Sequence, residues 1–192
     1  MAPFGSEVWF PGVKEEIELE RVQLRYVKEV LRVNDSTTDE FVRGEVGLFE
    51  LKRERDKSML VWYGKLLMMG KERWARKVFD MEWMEVGIGV RHLKSWRSKV
   101  EELVMEYGLE EWVKQGSVNE VEWKEEVRNA VEARAIDVWK DGVRAGKKLN
   151  TYCRVKKEWG MEEYLEGVMG KGESLLVRFR SGSAAVREEL GR

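Results

Sequence analysis

The chain has 192 residues, of which 43% are hydrophobic and 37% charged, with 35 Lys+Arg set against 36 Asp+Glu. That is enough apolar material for one sizeable core or two small helical lobes, and the balanced charge names no partner. The longest uncharged apolar stretches fall far short of the roughly 20 residues a membrane span requires, and neither a basic-then-apolar signal layout nor a second cysteine to pair with Cys153 is present, so the expected setting is intracellular, in cytoplasm or nucleus, with no membrane partner.

Only two prolines occur, Pro3 and Pro11, so the remainder of the chain lacks the residue that most reliably breaks a helix. The expected fold is all-α, a multi-helix bundle of about eight to ten helices with no significant sheet. Residues 1–13 read as an irregular lead-in, and 14–192 as a single helical domain, with two lobes, 14–86 and 91–192, as the alternative division. A first helix over 14–33 carries Leu19, Val22, Tyr26, Val30 and Val33 at spacings of three and four. Leu24, Val27 and Leu31 widen the stripe, and Arg21, Arg25, Lys28 and Arg32 lie on the remaining arc. Ser36 or Thr37 suits a capping box for the next helix, which Gly44 and Gly47 keep short. A third helix, 48–69, aligns Met59, Trp62, Tyr63, Leu66 and Leu67, and Gly70 stops it. A fourth, 71–85, presents Trp74, Val78, Met81 and Met84 or Glu85 inward before Gly87-Ile88-Gly89.

The cleanest period lies in 91–107, with Leu93, Trp96, Val100, Leu103, Val104 and Tyr107 on one face and Gly108 beyond. A long helix over 118–144 points Trp123, Val127, Ala130, Val131, Ala135 and Val138 inward, and shorter ones cover 149–159, 161–169, 173–180 and 183–190. Leu175-Leu176-Val177 is too short to define a strand.

No catalytic constellation emerges. Two-metal chemistry needs facing carboxylates, yet no Asp-Asp pair occurs, and Glu-Glu pairs such as Glu101-Glu102 and Glu125-Glu126 sit in strongly charged, solvated faces. A lone His92 with a lone Cys153 assembles neither a zinc site of four Cys/His ligands nor a recognisable Cys/His nucleophile, and no cofactor is expected. Gly87-Ile88-Gly89 lacks the third glycine of a dinucleotide fingerprint. Trp62, Trp96 and Trp123 lie on apolar stripes and read as core anchors.

Charge is unevenly placed. Residues 101–126 carry nine acids against two bases, whereas 140–157 hold Lys140, Arg144, Lys147, Lys148, Arg154, Lys156 and Lys157 against Asp141 alone, with Tyr152 among them. Lys147, Lys148, Arg154, Lys156 and Lys157 are candidates to track a phosphate backbone, Tyr152 to stack on a base, and Arg178 and Arg180 to form a second patch. The alternative is that the basic stretch docks on the acidic one. The stripe Arg21, Arg25, Lys28 and Arg32 carries the same two readings, nucleic acid or nearby acids.

The string Leu24-Arg25-Tyr26-Val27-Lys28, Val30-Leu31, Val33, Ser36-Thr37, Val42, Gly44-Glu45 and Gly47 resembles the stretch after the reverse-transcriptase domain in non-long-terminal-repeat (LINE-like) retrotransposon polyproteins. The likeness continues through Arg53 and Met59-Leu60-Val61-Trp62-Tyr63-Gly64-Lys65-Leu66-Leu67, and returns at Lys148-Leu149, Tyr152, Lys156, Glu163-Tyr164-Leu165, Arg178-Phe179-Arg180-Ser181-Gly182-Ser183 and Gly191-Arg192. These strings are helix cores and turns. The family's Asp-Asp polymerase motif, its endonuclease and the Cys/His-rich finger that usually follows have no counterpart here, so its catalytic residues have no positions to land on.

What the resemblance implies is a non-catalytic helical module that supports or extends a reverse transcriptase and contacts template RNA or target DNA. Two further readings stay open from the residues: a protein-interaction or scaffold module docking through its Trp- and Met-rich faces, and a retroelement fragment without a selected function.

Overall fold

The computed structural model describes residues 12–85, 96–114, 119–167 and 170–182. Among the described residues are nine α-helices: α1 (Val13–Val30), α2 (Asp39–Val46), α3 (Leu51–Met68), α4 (Trp74–Glu85), α5 (Trp96–Glu106), α6 (Glu110–Lys114), α7 (Glu120–Ala145), α8 (Tyr152–Val155) and α9 (Lys171–Arg180). They contain no strand, and a lone antiparallel bridge joins Val46 to Met161. The all-α expectation holds. Of the lead-in expected over 1–13, residues 1–11 lie outside the described residues, as do Gly87-Ile88-Gly89, His92, Leu93 and the helix expected over 183–190, while Val13 already belongs to α1.

The chain divides into two compact units that interleave in sequence, the first formed by residues 51–134 and the second by 12–50 with 135–182. A division into lobes near residue 90 is therefore not the one observed. The physical reason is that α1 and α2 pack with the C-terminal segments, Leu24, Leu31, Phe41 and Val42 sharing one core with Trp139, Val143, Leu149, Tyr152 and Val177.

Unit one is built on the predicted stripes of α3, α5 and α7. Met59, Leu60, Tyr63 and Leu66 meet Val100, Leu103, Val104 and Tyr107, with Trp123, Val127 and Val131 completing the cluster; Trp62, Leu67 and Trp96 are partly buried against it. Gly108 ends the α5 segment at φ 67°, the left-handed conformation that glycine adopts without a Cβ penalty. Leu109 then turns inward, fully buried, and starts the short α6, a helix the periodicity does not reveal. In α4 the inward face differs from expectation: Phe79 is buried, while Trp74 is 80% exposed and Val78 and Met81 also face solvent. Phe79 wins because its ring meets Tyr63 and Trp96 edge-on at 5.9 and 6.3 Å, and Arg76 and Arg97 lie over its faces.

Unit two also corrects a stripe. Leu24 and Lys28 are buried on α1 and Leu31 at its C-cap, whereas Leu19, Val22, Tyr26 and Val30 are exposed. The narrower face goes inward because its polar members find partners: Glu20 accepts from Arg43 at 2.6 Å, and Lys28 donates to Asp39 at 2.8 Å and to the Asp35 carbonyl at 3.0 Å. α1 stops at Val30, earlier than expected, in a Schellman arrangement. There the Arg32 N–H donates to the Glu29 carbonyl and the Val33 N–H to that of Lys28, with Arg32 left-handed at φ 54°. Neither Ser36 nor Thr37 caps α2. Thr38 occupies that position without a side-chain bond, the Ser36 N–H donates to Asn34 Oδ1 at 2.9 Å, and Thr37 is buried.

α7 contributes to both units. Trp123, Val127, Val131, Ala135, Trp139 and Val143 recur every fourth residue and are all buried, while Val138, expected inward, is exposed. Each tryptophan is held by the same device. Trp123 Nε1 donates to the Leu60 carbonyl at 2.8 Å in unit one, and Trp139 Nε1 to the Glu40 carbonyl at 2.9 Å in unit two. Each indole occupies the space over a helical glycine: a Cβ at Gly64 would clash with Nε1 and Cδ1 of Trp123, and one at Gly44 would lie 2.7 Å from Trp139.

Candidate nucleic-acid interface

The basic segment over 140–157 follows from a run of short local structures. α7 ends at Ala145; Gly146 then leads a 3₁₀ turn, Lys147–Leu149, closed by a 2.8 Å bond from the Leu149 N–H to the Gly146 carbonyl. Leu149 is driven into the core and its two predecessors are left outside, so Lys147 and Lys148 are exposed. The same logic operates one turn later. Tyr152 enters the core with its ring edge-on to Phe41 at 4.8 Å, which leaves Cys153 and Arg154 in solvent. Lys157 is exposed as well.

Three of the predicted contacts are internal instead. Tyr152, expected to stack on a base, is 2% exposed. Lys156 donates to the Gly160 carbonyl at 2.6 Å and to Glu162 at 2.5 Å. Arg180 reaches Glu45 at 2.7 Å and Glu162 at 3.2 Å, with its guanidinium over the rings of Tyr152 and Tyr164 at 5.9 and 5.6 Å. Tyr152 and Arg180 gather at Glu45, a fully buried carboxylate on α2 that also accepts from the Tyr164 hydroxyl, whereas Lys156 is held by Glu162. A buried charge without partners costs several kcal/mol, so opposite charge and hydrogen bonds must accompany it. Burial, with the Glu45 carboxylate beside them, pushes the hydroxyls of Tyr152 and Tyr164 well above the ordinary tyrosine range.

In the second stripe, Arg21 and Arg25 are exposed on α1 and Arg32 is exposed just after it, while Lys28 is buried on Asp39. Arg178 is exposed on α9. Unit two thus presents Lys147, Lys148, Arg154, Lys157, Arg178, Arg21, Arg25 and Arg32 to solvent. Arg144 is exposed with an Asp141 contact of 3.4 Å, and both side chains are so open that the pair is worth little. The acidic stretch 101–126 finds cations within unit one: Glu101 with Arg97, Glu102 with Lys99, Glu106 with Arg53, and Glu120 with Lys124.

Two features of unit one were not apparent from the sequence. An open groove of about 510 Å³ between α3 and α7 is lined by Lys57, Ser58, Val61, Val121, Lys124, Glu125 and Arg128. Its cations already face carboxylates, Lys57 on Glu54 at 2.7 Å, Lys124 on Glu120 at 2.7 Å and Arg128 on Glu125 at 3.3 Å, so it is electrostatically near neutral. The other feature is a buried chain in which Arg53 donates to the Tyr107 hydroxyl at 2.9 Å and that hydroxyl donates to Asp56 at 2.9 Å. Burial holds the Asp56 carboxyl above its ordinary value, opposed by the Tyr107 hydrogen bond and by Arg55, Lys52 and Arg53, and it raises the Tyr107 hydroxyl too. No single helix stripe carries either feature, because each joins residues from elements some fifty or more positions apart.

Among the described residues, no group of three or more His, Cys, Asp and Glu could hold a metal ion, and no helix is long and apolar enough to cross a membrane. Comparison of the chain with protein-family models, with curated proteins and with solved structures finds no match.

Proposed function

We propose that this chain is a non-catalytic helical module like the region that follows the polymerase in LINE-like retrotransposon polyproteins, and that its second unit binds RNA or DNA, with a reverse transcriptase as the partner it supports. The observation that carries the reading is the charge bias of residues 140–157, seven bases against one acid. Within it Lys147, Lys148, Arg154 and Lys157 remain in solvent after folding. Cations so placed bind phosphate by releasing condensed counterions, a contribution that is independent of base sequence and steeply sensitive to salt.

Titration of labelled RNA and DNA oligonucleotides against the chain, read by fluorescence anisotropy, tests this. Binding is expected at low salt and should weaken by one or more orders of magnitude between about 50 and 200 mM salt. Lys147→Glu with Lys148→Glu should weaken it further and flatten the salt slope by about 1.5 to 2. Absence of binding at low salt, or binding indifferent to both salt and charge reversal, defeats the proposal.

A second reading, a protein-interaction module, draws support from α4, whose exposed Trp74, Val78 and Met81 recur at i, i+4 and i+7. On that reading the charge reversals leave partner binding unchanged.

A further inference from the structure

We infer that unit two associates with a second copy of this chain, α9 of one copy lying along α1 of the other. The inference does not depend on nucleic-acid binding.

Both helices are apolar on two faces. Leu24 of α1, Leu31 at its C-cap and Val177 of α9 are buried in the same core, and this is the face each helix uses internally. The other face of α1 carries Leu19, Val22, Tyr26 and Val30 at helical spacing, all exposed, Val22 and Tyr26 by 68% each. The other face of α9 carries Leu175, Leu176 and Phe179, again all exposed. Isolated exposed apolar residues need no explanation, but a contiguous row along a helix marks a surface that is covered.

The borders of the two rows are opposite in charge. Glu15, Glu18 and Glu29, all exposed, border the α1 row, with Arg25 at its edge and Arg21 beside Val22 as the exposed cations nearest to it. Lys171 and Arg178, both exposed, border the α9 row. The one acid of α9, Glu173, is turned back to accept from the Gly170 N–H at 3.0 Å. The acids that border the α1 row attract a helix that is apolar and basic. α9 is such a helix. An apolar centre with a charged rim of complementary sign is the usual anatomy of a specific protein interface.

The test is light scattering after size-exclusion chromatography on the full chain, without nucleic acid. The mass should rise with concentration from that of one chain to that of two or more. Val22→Glu with Tyr26→Glu, which replaces exposed side chains by good helix formers, should abolish association while circular dichroism stays unchanged. Glu18→Lys with Glu29→Lys should weaken association about tenfold or more, and Lys171→Glu with Arg178→Glu should do the same. The chain carrying all four charge reversals should recover to within a few-fold of the parent, because the facing signs are again opposite. A single-chain mass at every concentration overturns the inference, as does association that survives Val22→Glu/Tyr26→Glu, or a four-fold variant that fails to recover.

Discussion

The two units solve one packing problem in the same way and a second problem differently. In each, α7 sends a tryptophan over a helical glycine and anchors its indole N–H on a backbone carbonyl, Trp123 on Leu60 over Gly64 and Trp139 on Glu40 over Gly44. The units differ in how each accommodates its buried acid. In unit one Asp56 sits among three nearby cations and accepts from one tyrosine, and burial still raises its pKa. In unit two Glu45 is paired with Arg180 and accepts from Tyr164, so full opposite charge meets it inside the core. A buried acid is thus held either by hydrogen bonding and nearby cations, as at Asp56, or by a direct ion pair, as at Glu45.

The strongest way to break the parallel is to remove the tryptophans. Trp123→Ala and Trp139→Ala should each cost about 3–5 kcal/mol, the range for deleting a buried aromatic. Chemical denaturation followed by circular dichroism reads both, and a cost below about 1 kcal/mol at either site would show that its indole is not an anchor.

The glycines come next. An added methyl at Gly64 or Gly44 overpacks the indole, a cost of about 1–3 kcal/mol against the roughly 1 kcal/mol that alanine gains in a helix. Gly64→Ala should destabilise more than Gly44→Ala, since its methyl would penetrate further into the facing ring. Gly172→Ala on α9, where a Cβ meets nothing within 4 Å, should instead stabilise by about 0.5–1 kcal/mol.

The smallest effect sharpens the contrast between the acids. The native Asp56 carboxyl holds its proton more tightly than the ordinary value of 3.8. Its contribution to stability is therefore fully present below that value and is lost as pH rises through the native one. The stability of the parent chain minus that of Asp56→Asn should accordingly fall as pH rises from acid to neutral in urea titrations. A difference that grows with pH would mean that Asp56 is stabilised as the anion.

Much of unit one is legible in the sequence because α3 and α5 carry a single apolar stripe, whereas α4, with Phe79 on one face and Trp74, Val78 and Met81 on another, is not. The face of Met59, Tyr63 and Leu66 and that of Val100, Leu103 and Val104 pack as their spacing predicts. In α1 the periodicity merges two rows into one stripe, Leu24 and Leu31 lying inward but Leu19, Val22, Tyr26 and Val30 outside, because it counts apolar residues without knowing which row has polar neighbours that can be paired. Trp139 could have been found, since it continues the every-fourth-residue series of Trp123, Val127, Val131 and Ala135. Tyr152 and Arg180 could not be distinguished from their exposed neighbours, because nothing local to them announces a buried Glu45 more than a hundred residues upstream; Lys156 is held by Gly160 and Glu162, only four and six residues on.

By itself the sequence determined the helical class, most helix stops and the charge bias of residues 140–157, all of which depend on residues within a turn or two of one another. Tertiary structure alone decided which stripe of α1 faces inward, how the chain interleaves into two units, and which of the basic residues reach solvent. These depend on pairing energies between distant segments, where a buried charge must meet its opposite or stay outside.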